Sequence, residues 1–133
     1  MLFRSAVLEL IETDFLAEMD EKGIPVLDWI PSMQELKEAI TQGAVPIVLI
    51  STWQLYHEKV PHWVVVTGFD DSHVYLHDPW LQTHGEFSSV DRENIPVRTE
   101  MFERMSRYGR DHTRITILVE RRRKRKTTLR PTQ

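Results

Sequence analysis

The chain has 133 residues, 41% of them hydrophobic and 28% charged, which suits one domain with a packed core. It has no cysteine, so disulfides, thiolate metal sites and a cysteine nucleophile are excluded within these residues, and no apolar run approaches the ~20 residues that span a bilayer. The net charge of −3 is unevenly spread: ten basic residues stand against 20 acidic ones before position 121, and seven basic residues follow in "RRRKRKTTLR", so a body of about −10 carries a tail of about +7.

Residues 5–22 have helical periodicity, with Leu8, Ile11, Phe15 and Met19 on one face and Gly23 as the stop. Arg4, Glu9 and Glu12 interrupt the apolar residues there, so no signal peptide is read and a cytoplasmic location is the default. "IPVLDW" (24–29) reads as a short strand, at an edge because of Pro25. "PSMQELKEAITQG" is a well-marked helix: Ser32 and Glu35 have capping-box spacing, Met33, Leu36 and Ile40 face inward, and Gly43 closes the end. The continuous apolar run "VPIVLIS" (45–51) is expected to be a central strand buried on both faces. "TWQLYHEKVP" reads as a loop.

A hairpin follows in "HWVVVTGFDDSHVYLHDPW" (62–80), then a polar loop from Leu81 to about Ile95. Thr99 is placed to cap a helix to Tyr108, with Phe102 and Met105 buried and Gly109 at its end. "TRITILVE" (113–120) is the last strand, with Ile115, Ile117 and Val119 on one face. The order α β α β β β α β implies an α+β domain over 1–120, a mixed, mainly antiparallel sheet with helices packed on it. Residues 121–133 read as a basic, solvated, disordered tail. The acidic body and the lack of aromatics in the tail argue against nucleic acid as a partner.

Turn chemistry in the hairpin falls at Asp70-Asp71-Ser72. If those three residues form the loop, Phe69 pairs with His73 and Asp78 lies opposite Val64. His62, Val64, Val66, Leu76, Asp78 and Trp80 then share one face. His62 and Asp78 become diagonal neighbours, roughly 7–8 Å apart at the backbone. Both sit at the open end of the hairpin, between Pro61 and Pro79. A carboxylate that accepts from one imidazole nitrogen fixes the tautomer and leaves the other nitrogen to take a proton. The same pattern also suits a plain structural hairpin. Trp53, Trp63 and Trp80 are candidate contacts for a peptide, with core packing as the alternative. Of the six histidines, His73 and His77 share a strand face but lie ~13 Å apart at ~3.3 Å per residue, too far for one ion. Only His57, His62, Asp78 and His84 could converge, through loop folding, and no metal or other cofactor is expected.

"GAVPIVLIS", the hairpin and "FERMSRYGR" together resemble the C-terminal part of the double-glycine leader peptidases, bacteriocin-processing cysteine peptidases of the papain-like superfamily. The likeness is greatest to a soluble cytoplasmic branch found with acetyltransferase or ATP-grasp partners, and it covers roughly residues 8–120. It rests most on a His followed sixteen residues later by Asp-Pro, the spacing of His62 and Asp78. The resemblance implies a papain-like half-domain in which His62 is the base and Asp78 its orienting partner. The family's cysteine and its oxyanion-stabilising glutamine carry over to no residue here, as if the chain begins beyond that segment. Ser51, Thr52 and Ser88 are hydroxyl residues that would need a stronger base and their own preorganised site. Two functions follow as expectations. One is a truncated cysteine peptidase, inactive alone, whose partner is the missing N-terminal half or a self-associated copy. The other is a non-catalytic module that binds a peptide or protein substrate.

Overall fold

The computed structural model describes residues 2–27, 30–57, 60–79, 89–107 and 112–121, with backbone alone for 2–9, 11, 54, 56 and 89. Helix α1 (Leu2–Glu21) and helix α2 (Met33–Thr41) end in the same way. Gly23 at φ +66° and Gly43 at φ +91° take the left-handed conformation that costs a glycine little. Ile24 N–H then donates to Met19 O (2.8 Å), and Ala44 N–H to Ala39 O (2.9 Å), which closes each helix with a Schellman motif. At the start of α2, Glu35 N–H donates to Ser32 Oγ and Ser32 N–H donates to the Glu35 carboxylate, the reciprocal box implied by the spacing.

Strands β1 (Val45–Ser51), β2 (Pro61–Phe69), β3 (His73–His77), β4 (Ile95–Arg98) and β5 (Thr116–Val119) form one five-stranded sheet in the order β4-β3-β2-β1-β5. Among the described residues every pairing is antiparallel, where a mixed sheet was expected, and the domain is α+β. Short helix α3 (Trp53–Tyr56) links β1 to β2, and helix α4 (Thr99–Met105) follows β4 directly. The core lies on one face. Val48, Ile50, Val64, Val66, Val74, Leu76 and Val97 from the strands meet Leu36 of α2 and Phe102 and Met105 of α4. Each such side chain contributes about 1.5–3 kcal/mol on burial. Arg114, buried just before β5, donates to Pro31 O (2.6 Å), to Ser106 Oγ (3.0 Å) and to Glu103 (2.5 Å). It thereby ties the start of α2 to the end of α4. Burial pushes the Arg114 guanidinium down from its usual range, and the Glu103 carboxylate opposes that.

Several elements differ from the sequence reading. Residues 24–27 lie in no strand, and Asp28 and Trp29 are outside the described residues. Residues 53–56 are helical rather than loop. β4 is an additional strand, four residues long with a proline, too short to show an alternation. Thr99 is the first residue of α4, with Arg98 at the cap position, and its N–H, which has no partner within the helix, donates to Ser72 O (2.9 Å) in the hairpin turn. β5 starts at Thr116, three residues late, and Tyr108 and Gly109 are not among the described residues. β1 lies inside the sheet between β2 and β5, as expected, but is not buried on both faces: Pro46, Val48 and Ile50 are buried while Ile47, Leu49 and Ser51 are half-buried. Among the described residues, the sheet face opposite α2 and α4 keeps Trp63, Ile117 and Val119 exposed.

Candidate active site

The hairpin register explains how two distant residues meet. Val66 pairs with Leu76 and Val65 with His77, the alignment assumed from the sequence. One further step places Asp78 beside Val64, with His62 on the diagonal. Nearer the turn the alignment differs by one, since Gly68 pairs with Tyr75 and Phe69 with Val74. A bulge at Thr67 absorbs the shift. It turns Phe69 to the helix side, where the Lys37 ammonium of α2 stands 5.3 Å from its ring centre. The slip is confined to the turn end, so His62 and Asp78 stay on the core face.

His62 Nε2 lies 2.5 Å from Asp78 Oδ1. The other carboxylate oxygen, Oδ2, accepts from Arg92 Nη1 at 3.0 Å. Asp78 N–H also donates to Arg92 O at 3.0 Å, so Arg92 meets both the backbone and the side chain of Asp78. The Asp78 side chain is fully buried, that of Arg92 is 7% exposed and that of His62 18%. The exposure gradient runs from the carboxylate outward to the imidazole. Arg92 is held at the end of a 3-10 turn (Ser89–Arg92). Nothing local in "SVDRENIPV" marks it, and only the pairing of β4 with β3 brings this turn beside Asp78.

An ionised carboxylate only accepts, so the ring nitrogen facing it carries the hydrogen. A neutral His62 in this geometry has Nε2–H toward Asp78 and its basic lone pair on Nδ1. The arrangement can therefore take a proton at Nδ1 and support the resulting imidazolium through Asp78.

The hydroxyl candidates fall elsewhere. Ser51 stands on the opposite sheet face, since its neighbour Ile50 is the strand partner of His62. The Thr52 hydroxyl donates to Val60 O (3.1 Å) and accepts from Val60 N–H (3.3 Å), closing the connection between β1 and β2. Ser88 lies outside the described residues. The tryptophans divide similarly. Trp53 opens α3, is 44% exposed, and meets the His57 ring edge-on at 5.7 Å between centres. Trp63 is 38% exposed and, by strand alternation, faces away from His62. Trp80 and His84 are outside the described residues. Among the described residues, no three metal-ligating side chains converge, and no helix is long and apolar enough to cross a membrane.

An antiparallel sheet that holds a buried carboxylate between an imidazole and a guanidinium defines an α+β domain with a charged cluster at the open end of its hairpin. Residues 4–120 match the family described as "Peptidase_C39 like family", and the chain belongs to that family. No curated protein and no solved structure was found to match it.

Proposed function

We propose that this domain carries the base half of a cysteine-peptidase site, with His62 as general base and Asp78 as its orienting partner, and that it handles extended peptides. The observation that carries this is the 2.5 Å contact between His62 Nε2 and the buried Asp78 carboxylate in a member of a peptidase-like family. The chain has no cysteine, so the thiol would come from polypeptide outside these 133 residues. In that reaction the thiol proton passes to His62 Nδ1 and the thiolate attacks the peptide carbonyl carbon. The C–N bond breaks as the amine leaves with the proton from His62. Water then cleaves the thioester and restores the thiol. By itself the chain is an inactive, papain-like half-domain.

A second reading, a non-catalytic peptide-binding module, draws on the same lack of cysteine beside a complete His–Asp–Arg cluster. Both readings are tested by incubating the purified chain with a mixed fluorogenic peptide library, then titrating peptides into the isotope-labelled protein. No turnover is expected, and the His62 ring resonances should move on peptide addition. Turnover that disappears in His62→Ala would overturn the claim that the chain lacks its nucleophile. Ring resonances that stay fixed at saturating peptide would overturn both readings.

A further inference from the structure

We propose that Arg92 is a positioning residue: it holds the buried Asp78 carboxylate in its ionised, acceptor-only form and so selects the His62 tautomer whose lone pair lies on Nδ1. The inference deepens the reading above and takes its functional meaning from it. The geometry itself stands apart from any peptide.

Burial by itself favours a neutral carboxyl group. A neutral Asp78 could donate its hydrogen to Nε2, which would move the ring hydrogen to Nδ1. A ring with Nδ1–H cannot accept a thiol proton there. The Arg92 guanidinium, 3.0 Å from Oδ2, opposes protonation of the carboxylate and leaves Oδ1 to the ring. Its second contact fixes where the carboxylate sits. Pro79 ends the ladder after Asp78, having no N–H to donate. The Asp78 N–H is taken by Arg92 O, supplied by the 3-10 turn. One residue thus sets the position of the Asp78 backbone, the orientation of its carboxylate and its charge. A planar guanidinium suits this better than an ammonium, since its charge is spread over a rigid fork.

The test is the tautomer of His62, read from its ring nitrogen shifts at a pH where the ring is neutral. The wild-type chain is expected to show one tautomer, with hydrogen on Nε2 and slow exchange of that hydrogen with water. In Arg92→Gln the two tautomers should mix and the exchange should quicken by about tenfold, the scale of one charge-assisted hydrogen bond. Arg92→Lys should restore part of the difference. A folded Arg92→Gln protein that keeps the wild-type tautomer and exchange would make Arg92 a structural strut only and overturn the proposal. If Arg92→Gln does not fold, the same coupling is read from the other side. The Arg92 Nη resonances of the wild type should be resolved and should shift in His62→Gln. Averaged guanidinium signals that are identical in those two proteins would also overturn it. Peptide binding and turnover enter neither measurement, so this inference and the peptidase reading fail separately.

Discussion

The two ends of one hairpin each hold an aspartate that gathers several partners, and they do so in opposite ways. At the turn, Asp70 Oδ1 accepts from Ser72 N–H (2.8 Å) and His73 N–H (2.7 Å), and Oδ2 accepts from the Tyr75 hydroxyl (2.6 Å). These three are neutral donors within five residues, the His73 ring nitrogen stands farther off at 3.6 Å, and the carboxylate is half exposed. At the open end, the partners of Asp78 include an imidazole 16 residues away and a guanidinium 14 residues away, and its carboxylate is fully buried. The turn carboxylate organises the backbone beside it. The open-end carboxylate organises side chains that only the folded sheet brings together. A buried charge with long-range partners is costly to assemble, and it is the arrangement suited to holding an imidazole in one state.

Asp78→Asn tests that contrast most strongly. It leaves the Arg92 guanidinium buried against an amide, and removing one member of a buried ion pair costs about 3–5 kcal/mol. Denaturant unfolding should show a loss of that order. A loss within ~0.5 kcal/mol, the range of ordinary surface changes, would mean that the two ends of the hairpin are energetically alike. His62→Ala should cost less, about 1–2 kcal/mol, because it removes one hydrogen bond while the Asp78–Arg92 pair remains. The same unfolding curves rank the two variants, and a reversed order would place the stabilising contact at the imidazole rather than the guanidinium.

The gap between these variants parallels what was legible in the sequence. Strand alternation and two flanking prolines are enough to bring His62 and Asp78 to one face. The bulge at Thr67 leaves this intact because it lies on the turn side of Val66. Arg92 left no trace, since its role depends on β4 pairing with β3, and "IPVR" is too short and too proline-marked to read as a strand. Helix α2 was legible from its capping box and closing glycine, which are local hydrogen-bond chemistry. The one-sided burial of β1 was not, because an apolar run alone does not say how many layers cover it.

At the turn, the expected effects are smaller and depend on pH. The Tyr75 hydroxyl first, then the Ser72 and His73 N–H groups, holds the Asp70 carboxyl well below the usual carboxylate range. A depressed folded value means that the ionised group adds stability above the ordinary range and loses it as pH falls through the depressed value. Asp70→Asn should therefore lower the melting temperature at neutral pH, by less than Asp78→Asn does. The difference from wild type should shrink only in strong acid. Melting curves from neutral to strongly acidic pH check this, and a difference that vanishes within the ordinary carboxylate range would remove Asp70 from its hydrogen-bonded role.

Tyr75→Phe is the mildest change and separates the causes at that end. The phenylalanine keeps the ring on β3 and removes only the hydroxyl, so stability at neutral pH should change least of the four variants. Its clearer effect is on Asp70, which loses the largest of its four supports and should titrate closer to an ordinary carboxylate. The coupling is mutual: the Asp70 carboxylate raises the Tyr75 hydroxyl above its ordinary value of 10.0, mainly by accepting its hydrogen. That bond contributes fully below the ordinary phenol range and is lost as pH rises through the raised value. The side-chain carbon resonances of Asp70 and the phenolate absorbance of Tyr75 read the two titrations independently. A Tyr75→Phe protein in which Asp70 stays as depressed as before would assign its acidity to the two backbone N–H groups and the nearby His73 ring. The turn would then rest chiefly on its own backbone, and the contrast with the open end, where an imidazole and a guanidinium both meet one carboxylate, would be sharper still.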